Sequence, residues 1–303
     1  MSQHNQQVRD INGVVLLDKA SGSSSNHVLQ QVKRLFGANK AGHTGSLDPL
    51  ATGLLPICLG QATKVAQFLL DDDKRYLVHA KFGQVSSTGD SEGKVVNFGS
   101  TKGINESSIR TILSQFIGDI NQVPPMYSAL KRNGTPLYKL ARKGIEIERS
   151  PRPVTIHEIN FLDLEETVAS LEVFCSKGTY IRTLVEDIGK SLGCGGHVVE
   201  LRRTGFAHLD LSGSKTYEQL SKLKEQNIES LDSVILSADE MLPNLKSVYL
   251  DSEQTRDIRL GKKIEYLGFS ASHKLKLYDH NKQFLGIGES NPMSEILPKR
   301  LFV

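Results

Sequence analysis

The chain has 303 residues, 38% of them hydrophobic and 23% charged, which suits a large globular domain with a smaller one and excludes global disorder. Its formal net charge of +3 is too small to announce a nucleic-acid partner by itself. Three cysteines, Cys58, Cys175 and Cys194, without Cys-x-x-Cys spacing read as reduced thiols of a cytoplasmic protein. The polar N-terminus is no signal peptide, and no apolar run approaches the roughly 18 residues that cross a bilayer, so no membrane role is expected.

Residues 1–10 read as a flexible tail, and Ile11 to Lys19 as a buried strand. Ser24 or Ser25 caps a helix whose apolar positions are Val28, Leu29, Val32, Leu35 and Phe36, and Gly37 ends it. A glycine-rich loop follows, Gly42-His43-Thr44-Gly45-Ser46-Leu47-Asp48-Pro49-Leu50-Ala51-Thr52-Gly53. It presents one carboxylate, Asp48, and Pro49 pushes that residue toward extended dihedrals. An acid on a shaped loop is a common way to present a catalytic group, although Asp-Pro is also an ordinary turn starter.

A short helix is expected over Thr63 to Leu70, and the acidic run Asp71-Asp72-Asp73 reads as its exit into solvent rather than as a magnesium site. Tyr76, Val78, Ala80 and Phe82 alternate with Leu77, His79 and Lys81, a strand that puts Tyr76 on its apolar face. Ile109, Ile112, Leu113 and Phe116 mark a helix closed by Gly118. Val154–Leu164 and Ser170–Ser176 read as strands around a polar turn. Gly178 and Thr179 open a helix carrying Ile181, Leu184, Val185, Ile188 and Leu192, with Tyr180 and Arg182 in its first turn. Val198–Arg203 reads as a strand.

A boundary is expected near Ser237 to Ser247. Beyond it, a helix around Ser252 to Leu260 and strands near Lys274–Tyr278, Phe284–Gly288 and Pro298–Val303 suggest a compact β-rich module. The irregular order of strands and helices points to an α+β architecture. Gly189-Lys190-Ser191 ends like a phosphate loop, but Leu184 stands where the first glycine is required.

Positive charge is concentrated in Pro124 to Arg152. Lys131, Arg132, Lys139, Arg142, Lys143, Arg149 and Arg152 against Glu146 and Glu148 give +5 over 29 residues, leaving −2 for the rest. With Tyr127 and Tyr138 interleaved, this composition suits phosphate neutralisation and base stacking, or equally a solvated face. Arg182 can form a bidentate pair with Asp48 and keep it ionised. Arg202 and Arg203 suit RNA contacts or structural ion pairs. The histidines and cysteines lack metal-ligand spacing, so no metal is expected.

The glycine-rich Asp48 motif, Lys74-Arg75-Tyr76, Pro125-Met126-Tyr127-Ser128-Ala129-Leu130-Lys131, Lys177-Gly178-Thr179-Tyr180-Ile181-Arg182-Thr183-Leu184 and Leu201-Arg202-Arg203 occur in this order. Together they closely resemble the bacterial tRNA pseudouridine-55 synthases, the TruB family, from about Gly13 to Arg203. One departure is Asp18-Lys19-Ala20, where that family usually has Asp-Lys-Pro.

The resemblance implies a pseudouridine-synthase catalytic core over residues 11–240, with a mixed, largely antiparallel sheet flanked by helices and a basic RNA-clamping insertion at about 124–152. It implies a small PUA-like RNA-binding module at 246–303. The implied reaction isomerises a uridine in the tRNA T-arm without cofactor or metal. Asp48, Tyr76 and Arg182 are then the catalytic residues. His43, Tyr76, Tyr180 and Leu201 contact the flipped nucleoside, and Lys19, Lys131, Arg132, Arg142, Lys143 and Arg202 contact RNA. No obligate protein partner is expected. Two rivals are a non-catalytic tRNA-folding module and the catalytic subunit of a guide-RNA-directed complex. The absence of a lysine-rich tail and the long basic insertion favour a stand-alone enzyme.

Overall fold

The computed structural model describes residues 8–69, 72–269 and 271–302. The expected tail before Val8, the helix end at Leu70, and Asp71 lie outside the described residues. Strand β1 (Gly13–Lys19) is an apolar run because both of its faces are covered. Ser24 accepts the His27 N–H and starts α1 (Ser25–Phe36), and Gly37, at φ 68°, ends it by donating to the Arg34 and Lys33 carbonyls. β2 (Ala41–His43) and β3 (Thr52–Leu59) follow, and the Asp48 loop joins them. The helix expected at 63–70 splits into a 3₁₀ turn, Gly60–Lys64, and one α-turn, α2 (Ala66–Leu69).

β4 (Lys74–Phe82) alternates buried and accessible residues as its sequence demands. β5 (Gln84–Ser86) and β6 (Val95–Asn97) form a hairpin ahead of α3 (Glu106–Leu113), which Asn105 and Ser108 cap reciprocally. A 3₁₀ turn through Phe116 extends that helix, and Gly118 opens β7 (Gly118–Gln122). The basic insertion contributes a small hairpin, β8 (Lys131–Arg132) with β9 (Thr135–Pro136), and α4 (Leu137–Ala141). Then come β10 (Arg152–Glu165), β11 (Val168–Cys175), α5 (Ile181–Ser191), β12 (Gly196–Phe206) and β13 (Leu209–Asp210). Gly189-Lys190 falls inside α5, so no phosphate loop exists there.

The central sheet runs β1-β3-β12-β4-β11-β10-β7, with β2 on β3 and β13 on β12. It is mixed and largely antiparallel: only β12 and β3 pair in parallel. The main core lies between this sheet and α1, α3, α5 and α6 (Tyr217–Gln226), with α7 (Ile228–Asp232) beside α6.

A five-stranded sheet, β14-β16-β17-β18-β15, makes the C-terminal unit. Its members are β14 (Lys246–Tyr249), β15 (Ile264–Glu265), β16 (Lys274–Tyr278), β17 (Phe284–Ser290) and β18 (Glu295–Leu301), with α8 (Ser252–Arg259) alongside. It has its own core around Val248, Ile258, Leu275, Leu277 and Ile296. Ile287, with Phe284 and Phe302, also packs into a cluster with Val14, Leu16, Leu54 and Cys58 from β1 and β3. All three cysteines are buried and unpaired.

The parallel contact is two residues long, Arg202 beside Thr52 and Arg203 beside Gly53, yet it sets the Asp48 loop against β12. Gly53 makes the approach feasible. Its φ is +98°, and an added Cβ would lie 2.3 Å from the Arg203 carbonyl oxygen. Replacement must therefore both strain this backbone and push two strands apart. Gly53→Ala is expected to cost about 3 kcal/mol. An unchanged denaturation midpoint would show that the contact is dispensable.

Candidate active site

Three anchors shape the loop that carries Asp48. Ser25, at the start of α1, donates to the Leu47 carbonyl at 2.8 Å and accepts the Leu47 N–H at 2.7 Å. The Pro49 carbonyl accepts the Gly22 N–H at 2.9 Å. The third anchor is Lys19. Its ammonium donates into a ring of carbonyls: Ala20 at 3.0 Å, Asp48 at 3.3 Å, Pro49 at 3.2 Å and Ala51 at 2.6 Å. Lys19 is 1% exposed, so the expectation that it contacts RNA is corrected. An ammonium enclosed by carbonyls cannot reach a phosphate, and it serves here to fold the loop. Burial lowers its pKa to about 8, against the pull of Asp48 and Glu92.

Arg182 enters from the first turn of α5. Gln122 fixes that turn, accepting the Tyr180 N–H at 2.7 Å and donating to the Tyr180 carbonyl at 3.1 Å. The Arg182 side chain is 5% exposed. Its Nε meets Asp48 Oδ2 at 2.9 Å, Nη1 donates to the Thr88 carbonyl at 2.8 Å, and Nη2 donates to the Tyr127 carbonyl at 2.7 Å. Asp90 Oδ2 stands 3.6 Å from Nη1. The expected partnership with Asp48 is present, but it has one prong. The remaining nitrogens hold the loop after β5 and the root of the insertion.

Asp48 keeps 40% of its side chain accessible. Partial desolvation raises its carboxyl above the usual range, Asp90 adding to the effect and Arg182 and Lys19 opposing it. A carboxylate so placed is a stronger base and nucleophile than a solvated one, while its guanidinium partner keeps it oriented.

Tyr76 and Leu201 are buried residues of β4 and β12. Tyr76 lies opposite Arg203 in the ladder. Arg203 is buried, its Nε donating to the Leu54 carbonyl at 2.7 Å and Nη2 to the Gly45 carbonyl at 3.3 Å. Its part here is structural rather than RNA-facing. Burial, then Arg203, pushes His43 down, and burial raises the half-buried Tyr180 phenol. Asp48 contributes to the raised state of both Tyr76 and Tyr180, so the acid and the two phenols share one electrostatic neighbourhood.

The insertion exposes Lys131, Arg132, Arg142 and Lys143. The Leu137 N–H to Leu130 carbonyl bond, 2.7 Å, folds it internally, and the Tyr127 carbonyl ties it to Arg182. Arg202 forms a bidentate pair with Asp18 at 3.0 and 2.6 Å. Of the two roles open to it, the ion pair is the one formed, with 37% of the side chain still accessible. A cavity of about 500 Å³ opens between the insertion and α5, lined by Thr88, Tyr127, Arg149, Thr183 and Glu186 among others. It does not include Asp48 or Tyr76.

Sequence reasoning missed Asp90, Gln122 and Asp18. Asp90 sits in Ser86-Ser87-Thr88-Gly89-Asp90, whose only signal is a turn-like composition. Gln122 carried none. The Asp18–Arg202 pair depends on β1 and β12 lying on either side of β3, a relation invisible along the chain.

Residues 33–181 match the model of the TruB family pseudouridylate synthase N-terminal domain. Residues 182–243 match the tRNA pseudouridylate synthase B C-terminal domain, and 247–302 the C-terminal model of pseudouridine synthase II TruB. The chain is 50% identical over 305 residues to the tRNA pseudouridine synthase B of Actinobacillus pleuropneumoniae, covering 99% of each. It is also 50% identical over 291 residues to one from Haemophilus influenzae, covering 95% of this chain and 92% of that one. Among solved structures, a chain of an H/ACA RNP bound to a substrate RNA containing 2′-deoxyuridine shares the fold. The TM-score is 0.73 at 22% identity, covering 96% of this chain and 85% of that one. Family models, full-length relatives and fold agree: the chain belongs to the TruB family of pseudouridylate synthases.

Proposed function

We propose that this chain isomerises uridine 55 in the T-arm of tRNA to pseudouridine in the cytoplasm, with Asp48 as the catalytic group. Relatives of 50% identity carry the name tRNA pseudouridine synthase B, which supports the substrate class. The observation that carries the site is the contact between Asp48 and the buried Arg182, at 2.9 Å. A guanidinium committed to a part-exposed carboxylate is expensive to bury for binding alone. It makes sense where the carboxylate must act, and this favours the isomerase over a purely RNA-binding chain.

In this reading the target nucleoside leaves its stack, at a cost of a few kcal/mol. Contacts between phosphates and Lys131, Arg132, Arg142, Lys143 and the accessible part of Arg202 offset that cost. The base enters between Tyr76, Tyr180 and Leu201, and His43 meets RNA at the mouth. Asp48 acts on the ribose as nucleophile or base. The C1′–N1 bond breaks, the base turns in place, and C5 rejoins C1′. Since no water is added, one carboxylate suffices where a glycosidase needs two. Tyr76 removes the C5 proton. Residues 11–240 form the catalytic unit, and 246–303 the RNA-binding module.

Asp48→Asn should fold and bind tRNA but release no tritium from 5-labelled substrate. In the wild type, Asp48 works ionised and its carboxyl is raised. Activity should therefore be full above its pKa and fall as pH drops through it, starting at higher pH than for a solvated aspartate. Tritium release by the Asn variant at a wild-type rate would end this assignment. Arg182→Lys should slow the chemical step about 10- to 100-fold, because an ammonium cannot reach Asp48 and two carbonyls at once. Replacing Lys131, Arg132, Arg142 and Lys143 together by Ala should weaken tRNA binding and flatten its log–log salt dependence by roughly 3. A salt slope equal to wild type would place the RNA elsewhere.

A further inference from the structure

Arg203 is 1% exposed, and among the described residues it makes no ion pair with a carboxylate; its hydrogen bonds go to the Leu54 and Gly45 carbonyls, and Tyr76 is its neighbour across the ladder. Buried guanidinium groups ordinarily sit against an acid, because their charge is costly to desolvate. Here the ionisable group held against the charge is a phenol. The contact is imposed by the backbone, since Tyr76 and Arg203 are direct neighbours across β4 and β12. Gly53 lets β3 press against the Arg203 backbone, and the Phe206 ring lies 5.5 Å from the guanidinium.

We propose that Arg203 is a positioning residue that aims the Tyr76 oxygen and supplies the positive charge against which that phenol works as a phenolate. This rests on the reading of Tyr76 as the group that removes the C5 proton. After C5 has rejoined ribose, it carries both its hydrogen and the new carbon–carbon bond. The phenolate oxygen takes the hydrogen as a proton. The C–H electron pair restores the C5–C6 double bond, and the C6–N1 pair moves onto N1, which is protonated from water. The phenol then returns its proton to water, so the isomerisation balances.

The surroundings make such a partner necessary. Burial pushes the Tyr76 phenol up, and Cys175 at the end of β11 and Asp48 on its loop push the same way. Arg203 is the largest influence in the other direction. Burial first, and the Arg203 charge second, lower both Lys74 on β4, to about 8, and His43 on β2.

The test uses the full chain, a T-arm hairpin bearing protium or deuterium at C5 of the target, and single-turnover conditions with enzyme saturating. Arg203→Met should slow the chemical step roughly 100-fold at pH 7 while leaving hairpin binding near wild type. Its rate should climb into alkaline pH beyond the wild-type plateau, and its C5 isotope effect should exceed the wild type's. Arg203→Lys should recover part of the rate. In a Tyr76→Phe background, Arg203→Met should add little further loss. The proposal is overturned if the folded Arg203→Met variant keeps the wild-type pH profile and isotope effect, or loses as much again in the Tyr76→Phe background. If Arg203→Met does not fold, Arg203→Lys decides: a wild-type rate, profile and isotope effect overturn the proposal, and an alkaline shift with a raised isotope effect supports it. Failure of the parent reading looks different, since the wild type would then form no pseudouridine in the hairpin.

Discussion

The site is organised by a single guanidinium. Arg182 comes from a helix start, yet its three nitrogens join segments far apart in the chain: the loop of Asp48, the loop of Thr88 and Asp90, and Tyr127 at the root of the insertion. The first and last of these segments lack a ladder, and the Thr88–Asp90 loop has only a single bridge, Asp90 beside Val198 of β12. One buried cation with directional donors supplements what little regular structure they have. On the function proposed above, the cation that orients the acting carboxylate is also the one that orders the loops around it.

Lys19 and Arg203 extend the same logic with different chemistry. Both are long cations at 1% exposure, and both spend donors on carbonyl oxygens of the Asp48 loop or of β3 beside it. A compact ammonium suits the closed ring of carbonyls around Lys19, where direction matters little. The planar fork of Arg203 reaches Leu54 and Gly45 from one strand position, beside Tyr76 in the ladder. The loop is rigid because cations beneath it solvate its backbone in place of water.

Much of this was legible in the chain, for reasons that vary by residue. α1 was marked at both ends, by Ser24 and Gly37, and β4 by strict alternation. α6 was not, since Leu220 is its sole buried residue and the helix gives almost no periodic signal. β3 was masked by Pro56 and by the glycines before it, although it reads Thr-Gly-Leu-Leu-Pro-Ile-Cys-Leu and is buried throughout beyond Thr52. Asp48, Tyr76 and Arg182 were found by motif. What sequence could not supply is which charges lose contact with water. Lys19 looked like a phosphate ligand because residue type says nothing of burial, and Asp90 looked like a turn.

The cluster that joins Phe284, Ile287 and Phe302 to the rear of β1 and β3 has a consequence for recognition. The C-terminal sheet is not tethered by a string; it is cemented to the same strands whose front edge bears the Asp48 loop. On the function proposed above, an RNA held at both places would meet a caliper of fixed opening, and substrate choice would rest on the span between the two grips without any base being read.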